Sequence, residues 1–550
     1  MKSEEIQKLL DSIKPQISNI SDPSLHITVT TLFNLVEFMF AENEKQRKEI
    51  QLLKDEINRL KGEQGKPDIK KSNNKTDNNS SSEKERQKRE KNKPRKPKAK
   101  KANLEIHDTK KCPVDKAKLP ADAVPNGFAD VIVQDILIKA VNIKFQREIY
   151  YSPSEKKTYS GKLPDGWNGD FSPRVKALVL SLHHDSKLTL PSITSFLNTH
   201  GVFISESTVS NILIKESYEM LCTEKLEIVN AGLKSSAFQH TDDTGSRVNG
   251  INYHTHILCN KHYTAYFTEE KKDRLTVIKI LSGGELHLIL NDTAYQIMEN
   301  LNISNKWVLK LQKSNIKGEF TLEQFKKELL SIFLDEKKCP NVQKRIIEAC
   351  AIAGYRNNIY NVPVLVCDDA PQFKQITEEL ALCWIHEGRH YNKLSPVCPG
   401  HRELLDFFIG EFWDFYTELK DYKQNPTAMM RESILDKFDS LFTMKTKYDD
   451  LDERIHKTYA KKNELLLVLD KPYLPLHNNP AEIEVRVEKR KQDISFQTRT
   501  NAGTKVKDAG MTIVQTAKKL GVNCYEYFLD RISGFFKIKS LAEIIAINSS

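Results

Sequence analysis

The chain has 550 residues, of which 39% are hydrophobic and 29% are charged, an ordinary composition for a soluble protein of several domains. No run of 18 apolar residues occurs, so we expect no membrane-spanning segment. Nine scattered cysteines, an odd number, argue against a secreted disulfide framework and for reduced thiols in the cytoplasm. The net charge of +10 lies entirely within residues 61–101, which hold 16 basic and 6 acidic residues.

The N-terminal region, residues 1–62, is predicted to contain a dimerisation helix. Its candidate core positions alternate spacings of three and four over about four heptads, the pattern of a coiled coil. These positions are Val36, Met39, Asn43, Gln46, Ile50, Leu53, Ile57 and Leu60. Asn43 takes an a-type position, where a polar residue favours two strands in fixed register. The alternative is an amphipathic helix that packs on its own chain, but no apolar partner follows directly, so we favour a homodimer.

Residues 63–103 are predicted to form a basic disordered linker, because their polar composition cannot build a core. Eleven basic residues fall within 84–101. Such an arm would hold the phosphate backbone of DNA and add affinity without sequence choice. Its candidate contacts are Arg86, Lys88, Arg89, Arg95 and Lys96. The alternative is a linker that is merely soluble.

A helix-turn-helix is predicted within residues 166–230. Pro191 suits the first turn of one helix, Gly201 lies in the connection, and Ser205 can cap a second helix. The outward residues of the second helix, which could read bases in a groove, are Ser207, Thr208, Ser210, Asn211 and Lys215. Short helix pairs are common, so the pattern is compatible with a purely structural pair as well.

From residue 231 onward the pattern becomes that of an α/β domain. Strands are predicted near 236–242, 251–259, 263–268 and 361–369, from aromatic and β-branched runs. Asp242 and Asp368 therefore each end a predicted strand, and Glu482 lies near the start of a predicted helix, in "NNPAE".

These three acids could form a metal site if the fold brings them together. Two carboxylates about 4 Å apart repel by on the order of 4 kcal/mol at an effective dielectric of 20, and divalent cations would relieve that cost. Carboxylate oxygens suit magnesium or manganese. Two such ions can activate a water or a 3′-hydroxyl and stabilise the leaving oxygen of a phosphodiester.

Each acid also has a structural explanation. Asp242 and its neighbour Asp243 could shape a turn, and Asp368 with Asp369 could cap a helix. Glu482 could complete a capping box in which Asn479 is the cap and Pro480 the first helical residue.

Four segments resemble, in sequence and in order, the transposases of the insertion sequence 66 family. They are "TDDTG" (241–245), "VLVCDDAPQF" (364–373), "CWIHEGRHYNKL" (383–394) and "NNPAEIEVR" (478–486). The resemblance covers roughly 104–530, and the coiled coil and basic linker match the family's usual N-terminal layout. The family's cysteine-rich zinc segment is reduced here to Cys112-Pro113, and the stretch 270–360 is longer than usual.

The resemblance implies a ribonuclease-H-like catalytic core with an Asp-Asp-Glu (DDE) triad. Carried over by position, the triad is Asp242, Asp368 and Glu482, which would hold two Mg²⁺ or Mn²⁺ ions. Asp243 is the nearest rival of Asp242, and Glu484 is the rival of Glu482. Since two residues rotate a helix by about 200°, only one of the two glutamates can face the site.

The predicted fold class is multidomain α/β, with helical insertions in the core and the coiled coil, linker and helix-turn-helix ahead of it. The predicted domains are a coiled coil (1–62), a basic linker (63–103), a degenerate zinc-ribbon-like segment (104–165), a helix-turn-helix region (166–230), the first part of the core (231–400) with an insertion (270–360), a helical insertion (401–470), the Glu-bearing helix (471–500) and a C-terminal helical segment (501–550).

The segment "CWIHEGRHYNKL" offers two further interpretations. His386, Arg389 and His390 could contact the scissile phosphate, where a cationic side chain would steady developing charge. The spacings among Cys383, His386, His390, Cys398 and His401 also suit zinc. Trp384 indicates packing instead, which favours the first interpretation.

The function implied by the resemblance is DNA transposition, in which the site nicks DNA and then directs the freed 3′-hydroxyl at target DNA. Expected partners are the element ends, target DNA, a second copy of the chain and accessory proteins of the same element, with no membrane. The expected location is the bacterial cytoplasm, associated with the nucleoid. Two alternatives stay open, a catalytically silent DNA-binding regulator and a stand-alone metal-dependent nuclease.

Overall fold

A computed structural model describes most of the chain from residue 22 to residue 549. The described residues are 22–60, 105–115, 120, 123, 127–164, 166–167, 169–314, 316–334 and 339–549. The predicted linker at 63–103, with the candidate DNA contacts Arg86, Lys88, Arg89, Arg95 and Lys96, lies outside them.

Helix α1, Pro23–Leu60, includes the whole predicted heptad pattern. Met39, Ile50 and Leu53 of that pattern are exposed, which is what a coiled-coil face would show in a single chain. The helix also contacts its own chain, because the buried Glu37 accepts hydrogen bonds from the backbone N–H groups of residues 397 and 398. The two interpretations of this helix are therefore compatible, and dimerisation stays a prediction.

The stretch 23–54 of α1 is, among the described helices, the one that is long and apolar enough to cross a membrane by length and composition alone. This is weak evidence for a span. The contact of Glu37 with residues 397–398 instead favours a helix that rests on protein, since a carboxylate is costly inside a bilayer.

The region ahead of the core contains little regular structure within its described residues. Strands β1, Ile149–Ser152, and β2, Lys157–Ser160, form an antiparallel hairpin whose residues are mostly exposed. Cys112 is exposed and makes no disulfide. The predicted zinc-ribbon-like character of 104–165 is not tested by these contacts.

Helices α2 to α5 follow. Their bounds are Pro173–Leu180 for α2, continued by a π-helical turn Ser181–Asp185; Leu190–Thr199 for α3; Glu206–Asn211 for α4, continued by Ile212–Glu216; and Tyr218–Lys234 for α5. Thr189 caps α3, and Ser205 caps α4 by accepting a hydrogen bond from the N–H of Thr208 at 3.2 Å. Gly201 has φ = 83° in the connection, a left-handed conformation that suits glycine. A helix pair thus lies where the helix-turn-helix was predicted, although DNA binding by it stays a prediction.

A mixed five-stranded sheet forms the centre of the α/β part. Its strands are β3, Phe238–Val248; β4, Ile251–Cys259; β5, Thr264–Glu269; β8, Val364–Cys367; and β9, Glu379–Leu382, in the order β5-β4-β3-β8-β9. The β3–β4 and β4–β5 pairs are antiparallel, and the β3–β8 and β8–β9 pairs are parallel. Two short strands, β6 (Leu288–Ile289) and β7 (Glu319–Phe320), pair apart from this sheet. The expected α/β class is confirmed at this level.

Helices surround the sheet. Between β5 and β8 lie α6 (Arg274–Leu281), α7 (Asp292–Asn300), α8 (Asn305–Gln312), α9 (Leu322–Phe333) and α10 (Pro340–Arg356); after β9 come α11 (Trp384–Asn392), α12 (Pro399–Gln424), α13 (Ala428–Phe442), α14 (Asp449–Tyr459), α15 (Lys462–Leu465), α16 (Asn479–Ser495), α17 (Asn501–Leu520), α18 (Cys524–Ile532) and α19 (Leu541–Ser549). In the stretch 270–360, Trp307 stacks on Phe333 with ring centroids 4.5 Å apart, so this stretch has aromatic packing of its own.

The C-terminal helix α17 covers the edge strand β5. Four helical residues rise about 6.0 Å and two strand residues about 6.8 Å, so side chains one turn apart can meet alternate N–H groups of the strand. The pairs are Asp508 with the N–H of Thr268 at 2.7 Å, Thr512 with that of Tyr266 at 3.1 Å, and Thr516 with that of Thr264 at 3.2 Å. This helix satisfies the edge of the sheet and therefore packs as part of the α/β layer.

Candidate active site

Asp242 lies within strand β3, and not at its end as predicted. The strand continues to Val248 because it forms a long antiparallel hairpin with β4. Its parallel pairing with β8, however, stops at His240. Asp242 therefore stands just beyond the last residue of β3 that β8 covers, where a side chain can face an open edge.

Asp368 directly follows β8, as predicted, because that strand ends at Cys367. The sequence offset that pairs Phe238 with Val364 also relates Asp242 to Asp368. The two aspartates thus occupy equivalent positions on neighbouring parallel strands. Their carboxylates come from residues far apart in sequence but face one short stretch of the sheet edge.

The surroundings of Asp242 and Asp368 disfavour the ionised form of both carboxyl groups. Burial, together with the nearby charges of Asp368, Asp243 and Glu482, raises the pKa of Asp242 to about 7, against the opposing effect of a hydrogen bond from the N–H of Asp243. Burial also raises the pKa of Asp368, again with repulsion from Asp243 and Asp369. Mutually repelling, partly desolvated carboxylates are a typical feature of functional sites.

The neighbouring aspartate of each pair has cationic or polar partners. Asp369 forms ion pairs with Lys461 at 2.6 Å and with Lys374 at 2.9 Å. Burial alone would raise the pKa of Asp369, but these two lysines lower it below its ordinary value. Asp369 is therefore a structural acid beside Asp368.

Asp243 accepts a hydrogen bond from Gln372 at 2.9 Å and lies 3.4 Å from Lys272. Adjacent residues of a strand point to opposite faces, so Asp243 and Asp242 do not share a direction. The charges of both Asp368 and Glu482 raise the pKa of Asp242, which supports Asp242 as the member of the triad.

Glu482 lies in the first turn of α16, and the capping box considered as its structural explanation is absent. The helix begins at Asn479, and Asn478 takes the cap position without capping through its side chain. The Asn478 side chain turns to the sheet instead. Its Nδ2 donates to the carbonyl of Thr241 at 2.7 Å, and its Oδ1 lies 2.9 Å from Nδ1 of His240.

Asn478 thereby fixes the start of the Glu-bearing helix against β3. Its own N–H also contacts the Sγ of Cys383 at 3.2 Å, and the residue is fully buried. This role of Asn478 was not predicted from the sequence. The Asn478-Asn479 doublet ahead of Pro480 was the signal that could have indicated it. Through its side chain and its backbone N–H, Asn478 links three of the four quoted motifs, so these motifs converge in space.

Glu482 and Glu484 are separated as the helical rotation requires. The hydroxyl of Tyr266 donates to Glu484 at 2.7 Å, so this glutamate faces β5. Glu482 faces α11, where Nη2 of Arg389 lies 3.0 Å from both of its carboxylate oxygens. Glu482 is therefore the glutamate on the side of the aspartates, but its carboxylate is engaged by an arginine.

The three acids do not yet form a closed metal cage. Within the described part of the chain, two groups of three side chains bring their ligand atoms within 4.8 Å of one another, and the DDE acids are not one of them. The groups are Cys383 with His386 and Glu482, and Glu37 with Cys398 and His401. Of the five residues considered for zinc, Cys383 and His386 lie in one group, Cys398 and His401 in the other and His390 in neither, so the five do not make one site.

Helix α11 carries the predicted phosphate contacts. Gly388 allows it to approach α12, since a Cβ there would lie 2.7 Å from the Trp413 ring. Burial and the charge of Arg389 lower the pKa of His386 to about 4, and burial with Arg454 lowers that of His390. Both imidazoles are neutral at pH 7, so Arg389 supplies the positive charge of this set.

A cavity of about 300 Å³ opens between Asp368 and α11. Its basic and histidine wall is made of His386, Arg389, His390, Lys393 and Arg454. Asp368, Asp369 and Glu387 also line it. A larger groove of about 860 Å³ runs along β5 and α17, but none of the three DDE acids lines it.

The predicted base-reading residues lie on the outer side of α4 and the turn that continues it. Ser207, Asn211 and Lys215 are exposed, and Thr208 and Ser210 are half-buried. Val209 and Ile212 on the inner side are buried. The arrangement leaves this set accessible to a ligand.

Comparisons with known proteins agree with the geometry. Residues 344–506 match the family model described as "Transposase IS66 family". This match contains Asp368, α11 and Glu482, and begins after Asp242. A protein of Sinorhizobium fredii (strain NBRC 101917 / NGR234) described as the uncharacterized protein y4jO is 29% identical over 310 residues, 56% of this chain and 94% of the relative.

No solved structure matches the chain significantly. The resemblance inferred from the sequence is nevertheless confirmed by the family match, which spans two of the three acids and the helix between them. Over residues 344–506, the chain is similar to the insertion sequence 66 family of transposases.

Proposed function

We propose that this protein is a DNA transposase that nicks transposon ends and joins the freed 3′-hydroxyl to target DNA. The observation that carries the proposal is the equivalent placement of Asp242 and Asp368 on adjacent parallel strands, with Glu482 on the helix that Asn478 fixes against the same strand. A mixed sheet with helices around it supports a ribonuclease-H-like core as the scaffold.

The two aspartates fit a divalent cation. Each has its pKa raised by burial and by the repulsion of neighbouring carboxylates, and a bound cation would remove that repulsion. All-oxygen donors suit Mg²⁺ or Mn²⁺. Asp242, Asp368 and Glu482 would hold two such ions, Glu482 only after it leaves Arg389.

The chemistry that the ions supply when bound is activation of an attacking oxygen and stabilisation of the leaving oxygen. The chain's own residues position the reaction. Asn478 and the strand register set the distance between the acids, and Arg389 on α11 offers a fixed positive charge beside them. His386 and His390, being neutral, would donate hydrogen bonds to a phosphate.

DNA would reach the site from two other parts of the chain. The exposed face of α4, with Ser207, Asn211 and Lys215, would read the element ends, with Thr208 and Ser210 beside them. The basic segment at 84–101 would hold the backbone. The coiled coil of α1 would pair two protomers, and accessory proteins of the same element are further expected partners.

A cleavage assay tests this proposal. Full-length protein and a duplex carrying an element end are incubated with Mg²⁺, with Mg²⁺ and excess chelator, and with the Asp368→Asn variant. We expect nicking in the first reaction alone, followed by strand transfer when target DNA is added. Binding without nicking would indicate a catalytically silent DNA-binding regulator, and nicking without joining would indicate a stand-alone nuclease.

A further inference from the structure

The carboxylate of Glu482 is paired with the guanidinium of Arg389, a residue that lines the cavity beside Asp368. Nη2 of Arg389 lies 3.0 Å from both oxygens of Glu482, and the two side chains are 23% and 9% exposed. Arg486 is farther, at 3.7 Å, and is 41% exposed. Arg389 therefore makes the closest ion pair of Glu482 in this structure, and that pair occupies the oxygens that a metal ion would need.

Two other charged residues of the cavity wall, Arg454 and Asp369, have partners that lie outside the DDE set. Arg454 pairs with the buried Glu387, and Asp369 pairs with Lys374 and Lys461. Arg389 is different, because its partner Glu482 is one of the proposed metal ligands. The cavity thus joins the phosphate-facing wall and the metal site through Arg389, with Nε2 of His386 3.6 Å from the same carboxylate.

A guanidinium binds a phosphodiester at least as well as a carboxylate, since its N–H groups match two oxygens of either group. A backbone phosphate that entered the cavity would meet Arg389 together with the imidazoles of His386 and His390. Such a phosphate would compete directly with Glu482 for Arg389. Glu482, once released, would be free to turn towards Asp242 and Asp368.

We propose that Arg389 exchanges Glu482 for a phosphate of bound DNA, and that this exchange completes the metal site. The inference rests on the proposed function, because it requires that the three acids bind metal. Arg389 acts here as a positioning residue. Coupling of this kind is reciprocal, so DNA would raise the affinity for metal and metal would raise the affinity for DNA.

Mn²⁺ binding to the DNA-free full-length protein tests the exchange without any need for catalysis. Arg389→Gln should bind Mn²⁺ about tenfold more tightly than wild type, the change expected when one charge-assisted pair no longer competes. Lys393→Gln is the matched control, because it removes an equal charge from the same cavity wall at an exposed position. It should change the Mn²⁺ affinity by less than about twofold, as a screened surface charge does.

An anion arm tests the other half of the exchange. Sulfate, a tetrahedral anion like phosphate, should raise the Mn²⁺ affinity of wild type relative to chloride at equal ionic strength, and should leave Arg389→Gln unchanged. A short DNA duplex, corrected for its own Mn²⁺ binding, should have a larger effect than sulfate if the ligand is a backbone phosphodiester. An effect of sulfate equal to that of DNA would assign the site to a free anion and overturn the DNA part of the inference.

The outcomes separate the exchange from the proposed function. Equal Mn²⁺ affinities for wild type, Arg389→Gln and Lys393→Gln, with binding lost in Asp368→Asn, would overturn the exchange and leave the metal site intact. Absence of Mn²⁺ binding in wild type and in every variant would contradict both the exchange and the proposed metal site. If Arg389→Gln does not fold, Arg389→Lys replaces it. Lysine keeps the positive charge but cannot contact both oxygens of Glu482 in the same geometry. The Mn²⁺ affinity of Arg389→Lys should therefore still exceed that of wild type.

Discussion

Asp242 and Asp368 lie at equivalent positions, each two residues beyond the last pair of the parallel β3–β8 ladder, His240 with Val366. The strand geometry brings two acids together that burial and repulsion would otherwise keep apart. The consequence is an acidic edge that is costly in the metal-free protein and useful only with a cation.

We expect Asp242→Asn to stabilise the metal-free protein at pH 8, by on the order of 2 kcal/mol. The pKa of Asp242 is about 7 when folded and 3.8 in its ordinary state, so the folded protein binds more protons than the unfolded protein between those values. The contribution of this group to stability therefore falls as pH rises from about 4 to about 7. Urea unfolding at pH 5 and pH 8, with chelator present, measures the difference.

Asp369→Asn is the control for that experiment. Burial alone would raise the pKa of Asp369, but Lys461 and Lys374 lower it, so its ionised form stabilises the fold. This substitution should destabilise the protein at pH 8, the opposite sign. A destabilising Asp242→Asn at pH 8 would contradict the description of the site as electrostatically strained.

Substitution of the two glutamates of α16 should affect nicking differently. Glu482→Gln should abolish Mg²⁺-dependent nicking, since its carboxylate is a proposed metal ligand, and should also lower stability, because it breaks the largely buried ion pair with Arg389. Glu484→Gln should cost about 1–3 kcal/mol of stability, because it weakens a buried hydrogen bond from Tyr266, and should leave nicking in place. Nicking assays and unfolding curves on both variants provide the comparison, and an inactive, fully stable Glu484→Gln would reverse the assignment.

Glu37 should anchor helix α1 to the rest of the chain. Burial alone would raise its pKa, but hydrogen bonds from His401 and from the N–H groups of Cys398 and Val397 hold the pKa below its ordinary value. The ionised carboxylate therefore stabilises docking above pH 4.5, and this contribution is lost as pH falls through the lowered pKa.

We expect Glu37→Gln to weaken this docking by about 1.5–3 kcal/mol, the range for hydrogen bonds to a charged group. Hydrogen exchange should then accelerate in peptides covering 30–40 and 395–402 and stay unchanged in strand β3. Glu44→Gln, whose partner is Arg47 on the same helix, should have no such effect. Unchanged exchange in Glu37→Gln would place the anchor elsewhere.

Local sequence patterns predicted most of the elements that carry the site. The strands at 251–259 and 263–268, the end of β8 before Asp368 and the helix pair around Gly201 agree with alternation, turn residues and capping side chains. Such signals depend on neighbours within a few residues, so they are readable without the fold.

The partners of the site residues were not predictable in the same way. The extension of β3 past Asp242 depends on pairing with β4, and the missing cap at Asn478 depends on Thr241 and His240. Helix-start signals in the sequence allowed Asn479 as the cap residue. In the structure the tertiary contacts of Asn478 place the cap position one residue earlier. The ion pair between Arg389 and Glu482 joins residues 93 apart, and no local pattern could indicate it.

Anomalous diffraction from Mn²⁺ tests the central claim most directly, in crystals of the full chain bound to an element-end duplex with a non-cleavable phosphate linkage. The account predicts Mn²⁺ held by the carboxylates of Asp242 and Asp368. It also predicts that Glu482 has turned from Arg389 to the metal. The account would be contradicted by crystals of the DNA complex, soaked in Mn²⁺, that show no metal at the two aspartates. In that result Glu482 would still be paired with Arg389.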